Sequence, residues 1–178
     1  CDAAPVVTFE EEITPGSCTG QYTITRTWTA TDDCGNSSSA SQTINVIDTT
    51  APTLAGVPAD ETVECDAIPT APTVTATDNC DAAPVVTFEE ELTPGSCTGQ
   101  YTITRTWTAT DDCGNSSSAS QTINVIDTTA PTLAGVPSDE TVECDAIPTA
   151  PTVTASDNCD AAPVVTFEEE LAPGSCTG

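Results

Sequence analysis

Polar and apolar residues alternate strictly from Tyr101 to Thr110. Threonine fills every second position, and tyrosine, isoleucine, arginine, tryptophan and alanine fill the positions between. A period of two, with β-branched residues on one face and aromatic or apolar residues on the other, predicts a half-buried β-strand. Similar but shorter patterns predict strands at Thr53–Val57, Glu61–Glu64, Thr73–Thr77, Val85–Leu92 and Gln121–Ile126.

The segments between these strands are rich in glycine, proline and aspartate, and Ser116–Ser120 is expected to be a solvated loop. No 11-residue window has a helical period. Short strands separated by such turns predict an all-β sandwich.

The chain is a tandem repeat. The motif CDAA begins at Cys1, Cys80 and Cys159, so the period is 79 residues (80 − 1). The proline-containing joint DTTAP at Asp48–Pro52 and Asp127–Pro131 is short and stiff, which suits a boundary between repeats. The sequence therefore predicts the end of one repeat at 1–48, a complete repeat at 49–127 and the start of the next at 128–178.

The composition narrows the class of function. The formal net charge is −26, from 28 acidic residues and two basic ones, and there is no histidine. Nucleic acid and anionic membrane surfaces are excluded as partners because both require a basic surface. No apolar run is long enough to span a bilayer. Without histidine, a nucleophile motif or paired acids on one strand face, the sequence does not indicate an enzyme.

The ten cysteines fall four to a repeat at constant spacing, and none forms a C-x-x-C pair. This spacing argues against zinc-ribbon and thioredoxin-like sites. Four cysteines in a small repeat with few aromatic residues indicate disulfides, and hence a secreted, extracellular protein.

Three motifs recur in order: TATDNC at 75–80, TWTATD followed by CGN at 106–115, and the DTTAP joint. Together they resemble the hyalin repeat (HYR), and more closely the four-cysteine HYR-like repeats of large secreted surface proteins of Bacteroidota-type bacteria. The resemblance implies an immunoglobulin-like fold and an adhesive or spacer role. The chain differs from the ordinary hyalin repeat in lacking cysteines in its first and last strands, so that family's pairing cannot be carried over.

Within an immunoglobulin-like sandwich, Cys65 and Cys80 would bracket a strand of one sheet, and Cys97 and Cys113 a strand of the facing sheet. We expect the crossed pairs Cys65–Cys97 and Cys80–Cys113, because a Cys97–Cys113 bond would have to close the ends of a strand about 33 Å long. Pairing Cys65–Cys80 with Cys97–Cys113, as a similar spacing in the hyalin repeat suggests, stays open, as do bonds between repeats. The corresponding cysteines of the partial repeats are Cys1, Cys34, Cys144 and Cys176.

Aspartates cluster at one predicted pole of the sandwich. Asp78 and Asp81 flank one turn, Asp111 and Asp112 lie in another, and Asp48 arrives with the joint. Five converging carboxylates predict a Ca²⁺ site between repeats. The alternative is that each aspartate caps its own turn. The corresponding residues of the following junction are Asp127, Asp157 and Asp160.

Glu90 and Arg105 are expected to form an ion pair across neighbouring strands, because Arg105 lies on the packed face and a buried guanidinium needs a partner. The alternative places the Arg105 side chain over Trp107, with its charged end in water.

Thr49 and Thr128 follow an aspartate in the joint, a pattern that resembles the O-glycosylation acceptor of Bacteroidota. We therefore expect them to be candidate glycosylation sites. The alternative is that both threonines only stiffen the joint.

These observations together predict a structural repeat of an extracellular fibre or adhesin stalk, spacing or self-associating along the cell surface. Its expected partners are neighbouring copies of the same repeat, and no organic cofactor is expected. The alternative function is a Ca²⁺-dependent adhesive module that binds a carbohydrate or a protein.

Overall fold

The computed structural model describes residues 5–172 of the chain. They form strands joined by turns and loops, and none of them lies in a helix, so this part of the chain has no helix that could cross a bilayer. The strands are β1 (Val6–Pro15), β2 (Tyr22–Thr31), β3 (Ser37–Val46), β4 (Thr53–Ala55), β5 (Glu61–Glu64), β6 (Thr75–Thr77), β7 (Val85–Pro94), β8 (Tyr101–Thr110), β9 (Ser116–Ile126), β10 (Thr132–Ala134) and β11 (Thr154–Ser156).

The middle repeat contributes two sheets. One has four strands in the order β5-β9-β8-β7, and the other pairs β4 with β6. β5 runs parallel to β9, with Glu61 opposite Ile123 and Glu64 opposite Ile126. The predicted all-β, immunoglobulin-like sandwich is confirmed.

The neighbouring repeats contribute equivalent strands. β1, β2 and β3 lie 79 residues before β7, β8 and β9 and form a three-stranded antiparallel sheet. β10 and β11 pair as β4 and β6 do. For β1–β3, the sequence contains no counterpart of residues 49–79, which carry β4, β5 and β6.

The alternation along β8 produces the buried face that the sequence predicted. Ile103, Arg105, Trp107 and Ala109 are at most 4% exposed, whereas the intervening threonines are half-buried. Ile103 packs with Ile123 and Val125 of β9, and Val63 and Ile68 cover this cluster. Burial of this apolar face is the main driving force for forming the sheet.

The serine run differs from its prediction, because Ser116–Ser120 forms the first half of β9 instead of a solvated loop. In β3 the same run pairs residue by residue with β2, from Ser37 opposite Thr31 to Ser41 opposite Thr27. Small polar side chains complete such a ladder when their hydroxyls find acceptors, as Ser117 does on the carbonyl of Pro52.

The chain divides into two compact units. Unit 1 comprises Cys1–Asp60, Ala71–Glu91 and Thr104–Thr122, and unit 2 comprises Glu61–Thr70, Leu92–Ile103 and Ile123–Gly178. Each unit contains residues from more than one sequence repeat. The repeat boundaries at 48/49 and 127/128 remain predictions.

Candidate functional site

Two disulfides join residues of different repeats. In unit 1 Cys18 bonds Cys113, and in unit 2 Cys65 bonds Cys159, with Cα atoms 5.1 Å and 5.8 Å apart. The bonded residues are 95 and 94 positions apart, which is more than one 79-residue period. Both bonds therefore cross from one repeat into the next.

This pairing corrects the expected crossed pairs within one repeat, Cys65–Cys97 and Cys80–Cys113. The expectation placed Cys65 on a facing sheet, but β5 lies in the same sheet as β8, with β9 between them. At about 4.8 Å per strand, Cys65 at the end of β5 is roughly 10 Å or more from the β7–β8 turn that holds Cys97. A disulfide requires Cα atoms within about 7 Å.

The alternative of Cys65–Cys80 with Cys97–Cys113 is likewise not formed, because Cys80 and Cys97 are free thiols. Cys34 and Cys144 are also free, whereas Cys1 and Cys176 lie outside the described residues. The expected set omitted Cys18 and Cys159, and both of these form bonds.

A glycine turn brings the repeats into contact at each bond. Gly20 has φ +87°, and a Cβ built on it would lie 2.7 Å from the Cβ of Cys80. Gly99 has φ +84°, and a Cβ built on it would lie 2.7 Å from the Cβ of Cys159. Both the left-handed backbone and the close approach require glycine here. In unit 1 the Thr19 hydroxyl also donates to Asp112 Oδ2 at 2.8 Å.

Three carboxylates converge beside this contact in unit 1. Asp48, Asp78 and Asp111 each offer an oxygen, and these oxygens lie within 4.8 Å of one another. Asp48 is 4% exposed and Asp111 is 5% exposed, whereas Asp78 is half-buried. Three acids this close and this buried repel one another unless a proton or a cation compensates them.

Each of the three residues uses Oδ1 to hold its own turn. Asp48 accepts the amide of Thr50 at 3.0 Å, and Asp78 accepts the amides of Cys80 and Asp81. Asp111 accepts the amides of Cys113 and Asn115, while its Oδ2 accepts the side-chain amide of Asn115. Oδ2 of Asp48 and Oδ2 of Asp78 are buried with no hydrogen-bond partner.

The remaining predicted ligands are engaged in turns and contacts. Asp81 accepts the amides of Ala83 and Asp112, and Asp112 accepts the Thr19 hydroxyl. In unit 2, Asp127, Asp157 and Asp160 accept backbone amides through Oδ1 in the same way, and Oδ2 of Asp157 is buried without a partner.

Two groups at the aspartate cluster have shifted pKa values. Backbone amides, first that of Cys80 and then that of Asp81, lower the pKa of Asp78, so its carboxylate stays ionised at neutral pH. Burial, followed by the charges of Asp48, Asp78 and Asp111, raises the pKa of the Cys80 thiol. The thiol is therefore kept protonated beside the acids.

Asp32, the counterpart of Asp111, gives a test of these turns by pH. Bonds from Asn36, first from its side chain and then from its backbone, lower the pKa of Asp32 below 3.8. The turn is therefore stabilised above that value, and the stabilisation is lost as pH falls through the lower folded pKa. We expect the amides of Cys34 and Asn36, which donate to Asp32, to lose protection together in this range by NMR. Asp32→Asn removes the titration, and an unchanged acid transition in that variant would contradict the assignment.

The structure forms the expected cross-strand ion pair. Arg105 Nε donates to Glu90 Oε2 at 2.8 Å, and the Arg105 side chain is 5% exposed. In the preceding repeat Arg26 and Glu11 stand opposite each other in β2 and β1 and make the same 2.8 Å bond.

The two glycosylation candidates are both exposed. The Thr128 hydroxyl donates to Glu64, whose other oxygen accepts the Thr128 amide. Glycosylation of Thr49 and Thr128 remains a prediction.

Sequence reasoning missed the register of the disulfides. In a tandem array every cysteine pair within a repeat has an alternative one period away, and spacing alone does not distinguish them. The available signal was the Cys-Thr-Gly sequence at 18–20 and 97–99. A glycine two residues after a cysteine indicates close backbone approach, here to the next repeat.

Comparison with known proteins gives one family match. No curated protein matches the chain. Domains of the HYR-like family are extracellular, adhesion-related modules of a non-enzymatic type, and disulfides fit an oxidising environment. A family model described as an HYR-like domain with 4 cysteines matches residues 53–125, so this part of the chain is similar to that family.

Proposed function

We propose that the chain is part of an extracellular fibre or adhesin stalk whose successive repeats are joined by disulfide bonds as well as by the peptide chain. The observation that carries this proposal is the pair of disulfides between repeats, Cys18–Cys113 and Cys65–Cys159. A disulfide between repeats fixes their register and limits how far they can be pulled apart.

The same register would give two bonds at every junction of a longer array. Cys97 is the counterpart of Cys18, and Cys80 is the counterpart of Cys159. Their partners would be the counterparts of Cys113 in the following repeat and of Cys65 in the preceding one. Gly20 contacts Cys80 as Gly99 contacts Cys159, which places the free thiol where the bonded cysteine stands in the other unit.

Pulling the chain at its two ends tests this proposal. Force applied at the two ends passes through the Cys18–Cys113 bond and does not stretch the chain between these cysteines, which are 95 positions apart. At about 3.4 Å per extended residue, this bond withholds roughly 320 Å of contour length. The Cys65–Cys159 loop overlaps the first loop and withholds about the same length if the first bond is lost.

We therefore expect single-molecule pulling of the whole chain to give the same final length for the wild type and for a variant lacking either bond alone. Replacing Cys18, Cys113, Cys65 and Cys159 together by serine should lengthen the extended chain by roughly 320 Å. Reductant should do the same to the wild type. Full extension of the oxidised wild type would contradict the proposal.

An adhesive module that presents Ca²⁺ to a ligand is the second candidate function, and the aspartate cluster is the observation that favours it. Asp48 and Asp111 are at most 5% exposed, however, so an ion bound there would be better placed to hold the protein together than to contact a sugar. Saturable binding of a glycan by the chain, abolished by Asp48→Asn, would favour the adhesive function over the structural one.

A further inference from the structure

We propose that Asp48, Asp78 and Asp111 bind one Ca²⁺-type divalent cation in unit 1. The site does not depend on the stalk function, because it rests on the carboxylates alone. It also reduces the five carboxylates of the sequence prediction to three, since Asp81 and Asp112 are engaged elsewhere.

The geometry fits a single hard cation. Oxygens bound to Ca²⁺ lie about 2.4 Å from the ion, so two ligands on opposite sides are about 4.8 Å apart. The three carboxylates each offer an oxygen within 4.8 Å of the others, which is close enough for all three to bind one such ion. The set contains only oxygen, the donor that Ca²⁺ prefers.

Burial supplies a second, independent observation. Asp48 is 96% buried and its Oδ2 has no hydrogen-bond partner, and Oδ2 of Asp78 is also buried without one. A buried carboxylate oxygen without a partner costs free energy unless another group compensates it. A cation at the centre of the cluster satisfies these atoms and removes the repulsion among three acids.

Turn formation and cation binding use different atoms in two of the three ligands. Oδ1 of Asp48 and Oδ1 of Asp78 accept backbone amides, and this leaves Oδ2 available. Asp111 accepts two bonds at Oδ1 but one at Oδ2, so Oδ2 keeps a further lone pair for a metal. The two interpretations that the sequence left open are therefore compatible.

Unit 2 provides an internal control. Asp127 and Asp157 are the counterparts of Asp48 and Asp78, but the counterpart of Asp111 falls at position 190, beyond this sequence. The other acidic group there, Glu64 with Asp127 and Cys159, is a poor cation site. Its cysteine is in a disulfide, and Glu64 already accepts two bonds from Thr128. Among the described residues, only the unit 1 set brings three carboxylates within reach of one ion.

The test is a calorimetric titration of the whole, oxidised chain with CaCl₂ after treatment with chelator. We expect about one tight site per chain and a rise in Tm of roughly 5 °C or more at saturating Ca²⁺. Asp78→Asn keeps the Oδ1 acceptor of the turn but removes the charge, and it should weaken binding at least tenfold. The matched variant Asp157→Asn should leave the affinity unchanged.

The Tm of the variant in chelator distinguishes a loss of cation binding from a folding defect. Asp78→Asn should leave the metal-free chain folded, because the amide oxygen still accepts the backbone bonds of the turn, and it should abolish the rise in Tm on adding Ca²⁺. Absence of heat and of any Tm shift in the wild type would overturn the proposal. Equal weakening by Asp78→Asn and Asp157→Asn would also overturn it, because it would mean that the acidic surface binds Ca²⁺ without a built site.

Discussion

Replacing Cys18 and Cys113 together by serine is expected to lower the free energy of unfolding of unit 1 by about 4 to 5 kcal/mol. The bond closes a loop of 95 residues, and closing a loop of about 100 residues removes roughly 4.7 kcal/mol of chain entropy from the unfolded state. The Cys65–Cys159 bond does not reduce this effect much, because the shortest alternative path from Cys18 to Cys113 through that bond is about as long. Urea unfolding followed by circular dichroism would measure the difference.

The chain contains a matched control for this variant. Cys97 and Cys34 are the counterparts of Cys18 and Cys113 in the repeat, but they are exposed and free. Their replacement by serine should change stability by no more than about 0.5 kcal/mol. If both double variants lose stability equally, or if peptide mapping of the oxidised chain finds Cys113 bound to another cysteine, the inter-repeat pairing is wrong.

Trp107→Ala should cost about 3 to 5 kcal/mol, the usual range for removing a large aromatic side chain from a core. Trp107 is 2% exposed, and its ring centroid lies 5.3 Å from that of Phe88 in a tilted contact. Removing it leaves a cavity between β7 and β8 and takes away this aromatic pair.

Trp28→Ala is the control, because Trp28 occupies the same position in the preceding repeat and contacts Phe9 at 5.4 Å, but is 40% exposed. Its loss should cost clearly less than that of Trp107, on the order of 1 kcal/mol. Equal losses in urea titrations would show that burial does not determine the contribution of this tryptophan.

Local patterns predicted the strands because strict alternation of polar and apolar residues is typical of a half-buried β-strand. The alternation in Tyr101–Thr110 predicted a half-buried strand, and the alternative in which Asp111 caps its own turn agrees with its bonds to the amides of Cys113 and Asn115. The Ser116–Ser120 run was misjudged because its polar composition hides a backbone that pairs throughout its length. The polar composition of the run indicates that its side chains prefer solvent. Pairing with the neighbouring strand nevertheless makes its backbone a β-strand.

Contacts between repeats could not be predicted with the same certainty. The residues around each cysteine recur one period later in the sequence. The sequence alone therefore does not decide whether Cys80 or Cys159 is the partner of Cys65. The three-aspartate cluster was found within a larger set of five. Only the hydrogen bonds show that Asp81 holds its own turn and that Asp112 accepts the Thr19 hydroxyl of the preceding repeat.

The two disulfide loops overlap in the sequence. The first runs from Cys18 to Cys113, and the second runs from Cys65 to Cys159. Because these loops overlap, cleavage of any single peptide bond between Cys18 and Cys159 leaves the two fragments joined by at least one disulfide. In the proposed extracellular fibre, one cut by a protease in an exposed turn would sever an ordinary string of domains. Between Cys18 and Cys159 two cuts are needed before a piece can separate, so the arrangement would make such a fibre resistant to shedding.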